Sequence, residues 1–211
     1  MNALFFAFLL SLSNVSGPNQ IALGEFTDCV KNGLPCGWEK FKATKGVLLQ
    51  RDSLGYFVNI KSHKDVEGID RRIRFDIKEY SWLQWRWRVR VLPENAREDV
   101  KKKNDCAAAI YIAFKGIYPF NHIIKYAWST TLPEGTVLPS PYSGNTKVFV
   151  VRSGPMHVNE WMIEKRDVRS DYLKAFGSSP PPVEGIAIQS DSDNTGTCAC
   201  ADYADIVVSK D

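Results

Sequence analysis

The sequence predicts an all-β fold, an antiparallel β-sandwich of jelly-roll type with one or two short helices, and three observations carry that expectation. The run Trp82 to Leu92, WLQWRWRVRVL, alternates apolar and polar residues along its length. Short β-rich runs separated by turn residues recur along the chain without helical heptads or an internal repeat. The helical signal is confined to two pieces, Glu94 to Lys103 and Val168 to Phe176.

A period of two places alternate side chains on opposite faces of a strand. Leu83, Trp85, Trp87, Val89 and Val91 therefore share one face, and Gln84, Arg86, Arg88 and Arg90 the other. The apolar set is expected in the core, because each of its larger members would lose roughly 1.5–3 kcal/mol if left in water. The arginine face has two readings. One is a cationic groove for carboxylate or phosphate, which the guanidinium fork recognises in bidentate fashion. The other, which we favour, is a sheet face with cross-strand acidic partners.

The remaining strands are expected over Gly46 to Gln50, Tyr56 to Lys61, Ile69 to Asp76, Ala107 to Phe114, Ile123 to Ser129, Lys147 to Arg152, Trp161 to Asp167, Val183 to Ser190 and Tyr203 to Ser209. Spacing of this kind suits a sandwich or jelly roll. Of the two helical pieces, the second is ended by Gly177 and then Pro180, Pro181 and Pro182, and both read as excursions between strands. A chain of 211 residues is the size of one such domain, so residues 18–211 are read as a single sandwich.

Residues 1–17 read as a leader. Ala3 to Leu10, ALFFAFLL, is too short for the ~20 residues of a membrane-spanning helix and has the length of a signal-peptide apolar region. Small residues follow at Ser11-Leu12-Ser13 and Val15-Ser16-Gly17, although no Lys or Arg precedes the run. A buried N-terminal strand is the alternative. The leader implies a periplasmic or secreted protein, and no other segment approaches a transmembrane span. With 27 Lys and Arg against 24 Asp and Glu, the net charge of +3 is too weak for a nucleic-acid-binding surface.

An exported chain meets oxidising conditions that preserve disulfides, so the five cysteines are expected to form them. Cys29 and Cys36 flank a turn containing Asn32, Gly33 and Pro35 and are expected to bond. Three thiols remain, and a bond from Cys106 to Cys198 or Cys200 is the preferred pairing. Their spacing lacks the paired pattern of zinc sites.

The densest polar motif is Asp191 to Asp202, DSDNTGTCACAD. Counted as a twelve-residue calcium loop, it offers Asp191, Asp193 and Thr195 at positions one, three and five, Gly196 at six and Asp202 at twelve. No flanking helices are predicted and Asp202 is shorter than the usual Glu, so the expectation is calcium held by loop logic alone, or a plain turn. The same acids could serve catalysis if held about 5–9 Å apart across a glycosidic bond. No nucleophile elbow, zinc-protease motif or phosphate-cradling glycine loop occurs. His63, His122 and His157 stand in no recognisable catalytic setting. Trp128 and Trp161 offer flat faces for stacking on a sugar ring, with core packing the commoner fate of such residues.

Several blocks in order resemble a known family. They are Gly37-Trp38, Leu83 to Val89, Asp105, Tyr126-Ala127-Trp128, Arg166-Asp167-Val168 with Asp171-Tyr172 and Phe176-Gly177, Asp191 to Gly196, and Tyr203 to Ile206. The pattern, from about Phe26 to Val208, resembles domain of unknown function family 3047, a group of exported bacterial proteins. The Cys198 and Cys200 pair departs from that pattern. More loosely, Asp202 to Val208 is similar to the last strand of galactose-binding-like jelly-roll carbohydrate-binding modules. The resemblance implies a galactose-binding-like or concanavalin-like sandwich with a sugar-binding face and a structural calcium. The leading expectation is a non-catalytic binding module for a glycan or an anionic cell-envelope ligand, with a site built from Asp105, Trp128, Arg166, Asp191, Asp193 and Asn194. The alternatives are a polysaccharide hydrolase or lyase using Asp191 and Asp193, and a purely structural envelope protein. The oligomeric state is not legible.

Overall fold

Every strand expected from alternation forms, and five further short ones join them. The architecture is that of a computed structural model, which describes residues 19–27, 29–41, 45–116 and 121–210. The leader reading of residues 1–17 lies outside the described residues. In chain order the strands are β1 (Gln20–Gly24), β2 (Val30–Lys31), β3 (Leu34–Pro35), β4 (Glu39–Lys40), β5 (Val47–Asp52), β6 (Gly55–His63), β7 (Val66–Phe75) and β8 (Trp82–Val91). There follow β9 (Cys106–Phe114), β10 (Ile123–Ser129), β11 (Val137–Ser140), β12 (Ser143–Ser153), β13 (Met162–Asp167), helix α1 (Val168–Phe176), β14 (Val183–Asp191) and β15 (Cys198–Ser209).

Two sheets face each other. One runs β13-β8-β15-β6-β5, with β1 pairing the far half of β15, and the other runs β11-β12-β10-β9-β14-β7-β4. The chain crosses from sheet to sheet at β4 to β5, β6 to β7, β7 to β8, β8 to β9, β12 to β13, β13 to β14 and β14 to β15, as a jelly roll requires. All pairings are antiparallel except β10 with β12, which run parallel because the β11 hairpin returns the chain in the direction of β10.

The core is made where the inner faces meet. Trp85 and Trp87 of β8 are fully buried against Tyr126 and Trp128 of β10, with ring centroids 5.5 and 5.8 Å apart. Tyr203 of β15 spans the gap, accepting from the Ala109 amide at 3.0 Å and donating to the Gln189 carbonyl at 2.5 Å. Those two backbone groups lie beside a bulge in the β9–β14 ladder, so the phenol satisfies polar groups that the bulge leaves short of partners.

Helix α1 has the bounds its sequence predicts. Asp167 caps it by accepting from the Ser170 amide at 2.9 Å, and Gly177 ends it at φ +67°. The other expected helix, Glu94 to Lys103, is corrected to an irregular loop of turns with one 3-10 turn at Lys101–Lys103. Asn95 sits at φ +56°, and Ala96 and Glu98 are drawn fully into the interior, so tertiary burial overrides local propensity.

The cysteine expectations divide. Cys29 and Cys36 are bonded, their Cα atoms 5.6 Å apart across the β2–β3 hairpin, whose turn residues Asn32 and Gly33 both have positive φ. The bond expected from Cys106 to Cys198 or Cys200 does not form, and all three thiols are free. Cys106 opens β9 in the seven-stranded sheet, whereas Cys198 and Cys200 lie on β15 in the other. Stacked sheets are about 10 Å apart, beyond disulfide reach.

Candidate functional site

The outer face of the seven-stranded sheet gathers the polar residues that the sequence scatters. Lys125 of β10 stands opposite Tyr111 of β9. At one end of these strands the loop after β8 buries Glu98 completely. The loop between β14 and β15 then brings Asp191, Asp193 and Asn194 beside them. A cavity of about 310 Å³ results, with Lys125, Tyr111, Asp191, Asp193, Asn194 and Tyr142 in its lining.

Asp105 holds this arrangement in place. Its carboxylate accepts from the Asn194 amide at 3.1 Å, the Thr195 amide at 2.7 Å and the Thr195 hydroxyl at 2.6 Å. The β6–β7 turn supports the same loop, since the Lys64 amide donates to the Thr197 carbonyl at 2.9 Å and the Ser192 amide to the Asp65 carbonyl at 3.1 Å. Asn194 accepts from the Tyr142 hydroxyl at 2.7 Å, and Tyr142 itself is 56% exposed. One wall of the cavity is thus an aromatic ring, with the Lys101 ammonium 5.1 Å from its centroid.

Lys125 is only 3% exposed, and its ammonium is enclosed by acidic groups. Burial by itself lowers its pKa, but Cys106, Tyr111, Glu98 and Asp191 together hold it well above the ordinary lysine value. Burial in turn pushes the Cys106 thiol up to about 12 and raises the Tyr111 phenol and the Glu98 carboxyl. Glu98 accepts from the Ser129 hydroxyl at 2.6 Å through one oxygen, and its other oxygen has no hydrogen-bond partner among the described residues. Asp191 is raised to about 7, first by burial and then by the neighbouring Asp105 and Asp193, with Lys125 opposing. Glu98 and Asp191 act on the Lys125 ammonium directly, and Asp105 and Asp193 act on Asp191, so carboxyl groups outnumber this lysine.

A pH dependence follows from Asp191. Its folded-state pKa of about 7 lies above the ordinary 3.8, so between those values the folded chain binds the extra proton. Stability therefore falls as pH rises from about 4 through about 7 and levels off above. Asp191→Asn is expected to flatten that slope and to melt no lower than the parent protein at pH 8. Thermal unfolding at pH 5 and pH 8 checks both.

Asp105, Asp191 and Asp193 bring carboxylate oxygens within 4.8 Å of one another, a donor type suited to calcium. The fit is partial. Both Asp105 oxygens already accept protein donors, Asp191 accepts from the Gln189 amide at 3.0 Å, and the Lys125 ammonium stands alongside. Thr195 is turned toward Asp105. Asp202, the twelfth position of the loop, lies on the other sheet, where it accepts from Arg88 at 2.8 Å, Arg90 at 2.7 Å and Asn59 at 2.7 Å. The twelve-residue loop set therefore does not come together around one ion, because Asp202 lies on the other sheet.

Of the other expected site residues, Trp128 is 1% exposed, packs on Trp87 and donates to the Gly154 carbonyl at 3.1 Å, so its faces are taken by the core. Arg166 forms a separate network, donating to Asp171 at 2.9 and 2.6 Å, with Asp171 also accepting from the Tyr126 hydroxyl at 2.8 Å. The arginine face of β8 takes the paired form. Arg86 meets Asp205 at 2.5 Å, and Arg88 meets Asp202 and, at 3.6 Å, Asp52. Trp161 lies over the Arg88 and Arg86 guanidiniums at 4.4 and 5.0 Å and donates to Asp52 at 3.2 Å. Its face is filled by arginine.

Sequence reading missed Lys125, Tyr111, Tyr142 and Glu98. One signal was present, a lysine inside the otherwise apolar run Ile123 to Trp128, since charges at such positions are buried only when paired.

Among solved structures the sandwich is similar to the family 30 carbohydrate-binding module of a cellulosomal cellulase of Clostridium thermocellum. The TM-score is 0.50 at 8% identity, over 91% of this chain and 98% of that one. It is also similar, with a TM-score of 0.44 at 11% identity, to the xyloglucanase domain of the effector NopAA from Sinorhizobium fredii, over 82% of this chain and 93% of that one. The Trichoderma harzianum endoglucanase 3 of glycosidase family 12 gives 0.40 at 10% identity, over 83% and 95%. At such identities the likeness is one of fold. No curated protein sequence matches the chain. The family model that does match, over residues 37–207, is described as a protein of unknown function, DUF3047, and the chain belongs to that family.

Proposed function

We propose that this protein is a non-catalytic glycan-binding module whose cavity takes a neutral sugar unit. The observation that carries the reading is the cavity over Lys125 and Asp191, walled by the exposed ring of Tyr142. Carboxylates accept from sugar hydroxyls, the ammonium and the second N–H of the Asn194 carboxamide, whose first goes to Asp193, donate to sugar oxygens, and a tyrosine ring covers the apolar side of a pyranose. The excess of carboxyl groups disfavours an anionic envelope component, which would meet like charge. The sandwich shared with the Clostridium thermocellum module supports the reading at the level of fold. We further propose a periplasmic or secreted location, supported by the apolar run near the N-terminus and by the Cys29–Cys36 disulfide.

An array of neutral and acidic glycans tests the binding claim. Neutral glycans are expected to be retained. Lys125→Met is expected to weaken that binding at least about tenfold, the worth of one charge-assisted hydrogen bond. Tyr142→Ala is expected to weaken it several-fold through loss of the ring face. Retention of acidic glycans alone, or an empty array, contradicts the proposal. A hydrolase or lyase reading is favoured by one observation, Asp191 titrating at about 7 next to Asp193, a pairing suited to proton transfer. Release of reducing ends from a polysaccharide, abolished by Asp191→Asn or by Asp193→Asn, would replace the binding reading with that one.

A further inference from the structure

Cys198 and His63 face each other across β15 and β6, and the Cys198 sulfur lies 3.0 Å from His63 Nδ1. The three free thiols of the chain differ sharply in setting. Cys106 is fully buried and its thiol is pushed up to about 12. Cys200 is buried, receives the Asn59 amide on its sulfur at 3.3 Å, and is raised by burial. Cys198 alone is part-exposed, and its imidazole partner is exposed on the outer surface of the six-stranded sheet. Thiol exchange requires a thiolate that can be reached, and an adjacent base to take the proton.

We propose that Cys198, with His63 as its base, is a thiol-exchange site that takes up a low-molecular-weight disulfide as a mixed disulfide. In the step, the Cys198 thiol proton passes to His63 Nδ1 and the sulfur attacks one sulfur of the incoming disulfide. The new S–S bond forms as the old one breaks, and the second sulfur leaves as a thiolate that collects the proton. The incoming disulfide is the oxidant, and no other redox partner is needed.

The product is expected to persist. Cys200 sits two residues along the same strand, which places the two Cα atoms roughly 6.4–6.8 Å apart with their Cβ atoms pointing in parallel. A disulfide needs Cβ atoms about 3.8 Å apart, so Cys200 is badly placed to displace the adduct and close an internal bond. The site is also joined to the cavity loop. Thr197, which precedes Cys198, accepts from the Lys64 amide, and its hydroxyl contacts that of Thr195 at 2.8 Å.

The test is to incubate the folded full chain with oxidised glutathione, follow intact mass with time, and map the adduct by peptide mass spectrometry. One glutathionyl group per chain is expected, on Cys198, and none in Cys198→Ser. Both His63→Ala and His63→Asn are expected to slow its formation at least about tenfold, because neither side chain takes up the proton at neutral pH. An adduct on Cys106 or Cys200, a loss of two hydrogens marking a Cys198–Cys200 bond, or the parent rate in both His63 variants would overturn the proposal.

Discussion

Trp87→Ala is expected to lower the unfolding free energy by about 3–5 kcal/mol, the usual cost of deleting a buried aromatic side chain. Trp87 is fully buried on β8, which lies between β13 and β15. It packs edge-on against Trp85 at 5.3 Å and meets Trp128 of the opposite sheet at 5.8 Å. Its indole N–H donates to Glu164 at 3.2 Å. Truncation would open a cavity between the sheets and remove one donor from a carboxylate that keeps Arg152 at 2.7 Å. The exposed Ile163, on the neighbouring β13, is the control, and Ile163→Ala is expected to be near neutral. Urea unfolding should show a lower midpoint for Trp87→Ala with an unchanged slope, the mark of a change in stability alone.

Asp202→Ala is expected to cost about 3 kcal/mol, the lower end of the range for breaking a buried ion pair. The Asp202 side chain is fully buried, and it accepts from three donors on two neighbouring strands. Without it the Arg88 and Arg90 guanidiniums, 15% and 36% exposed, lose their shared counter-ion. Arg88 retains Asp52 only at 3.6 Å, and Arg90 reaches solvent most easily, which places the loss at the lower end. The prediction separates this residue from the cavity acids. Asp202→Ala is expected to lower the melting temperature and leave glycan retention intact, whereas Asp193→Asn is expected to impair retention with little change in melting. Differential scanning calorimetry together with the array distinguishes the two.

The sandwich was legible because its strands obey a local rule. Leu83 to Val91 alternates, and period two selects the buried Leu83, Trp85, Trp87 and Val89; Val91, expected with them, is instead exposed, where the ladder to β15 shifts register between Val89 and Val91. Helix α1 was legible from its ends, an Asp cap and a left-handed Gly. What stayed hidden depends on contacts between distant segments. The β1 strand has five residues and finds its partner only at the far half of β15. The loop after β8 is rich in helix formers yet forms only irregular turns, because burying Ala96 and Glu98 outweighs a turn of exposed helix.

The candidate site was half legible for the same reason. Asp105, Asp191, Asp193 and Asn194 stood out as polar residues at strand ends and do meet. Asp202 shares their loop motif but belongs to the opposite sheet, a separation that linear counting from position one to twelve does not see. Trp128 and Arg166 lie in blocks of the family pattern, yet their contacts are with the core and with Asp171. Lys125 and Tyr111 come together only through the pairing of β9 with β10, which no spacing in the sequence encodes.

Backbone chemical-shift mapping of the labelled protein, titrated with the glycan best retained on the array, tests the binding claim most directly. The largest changes are expected on Asn104, Tyr111, Asp193 and Asn194, around the cavity over Lys125. Changes centred instead on Arg86, Arg88 and Trp161 of the opposite sheet, or no localised change at saturating glycan, would contradict it.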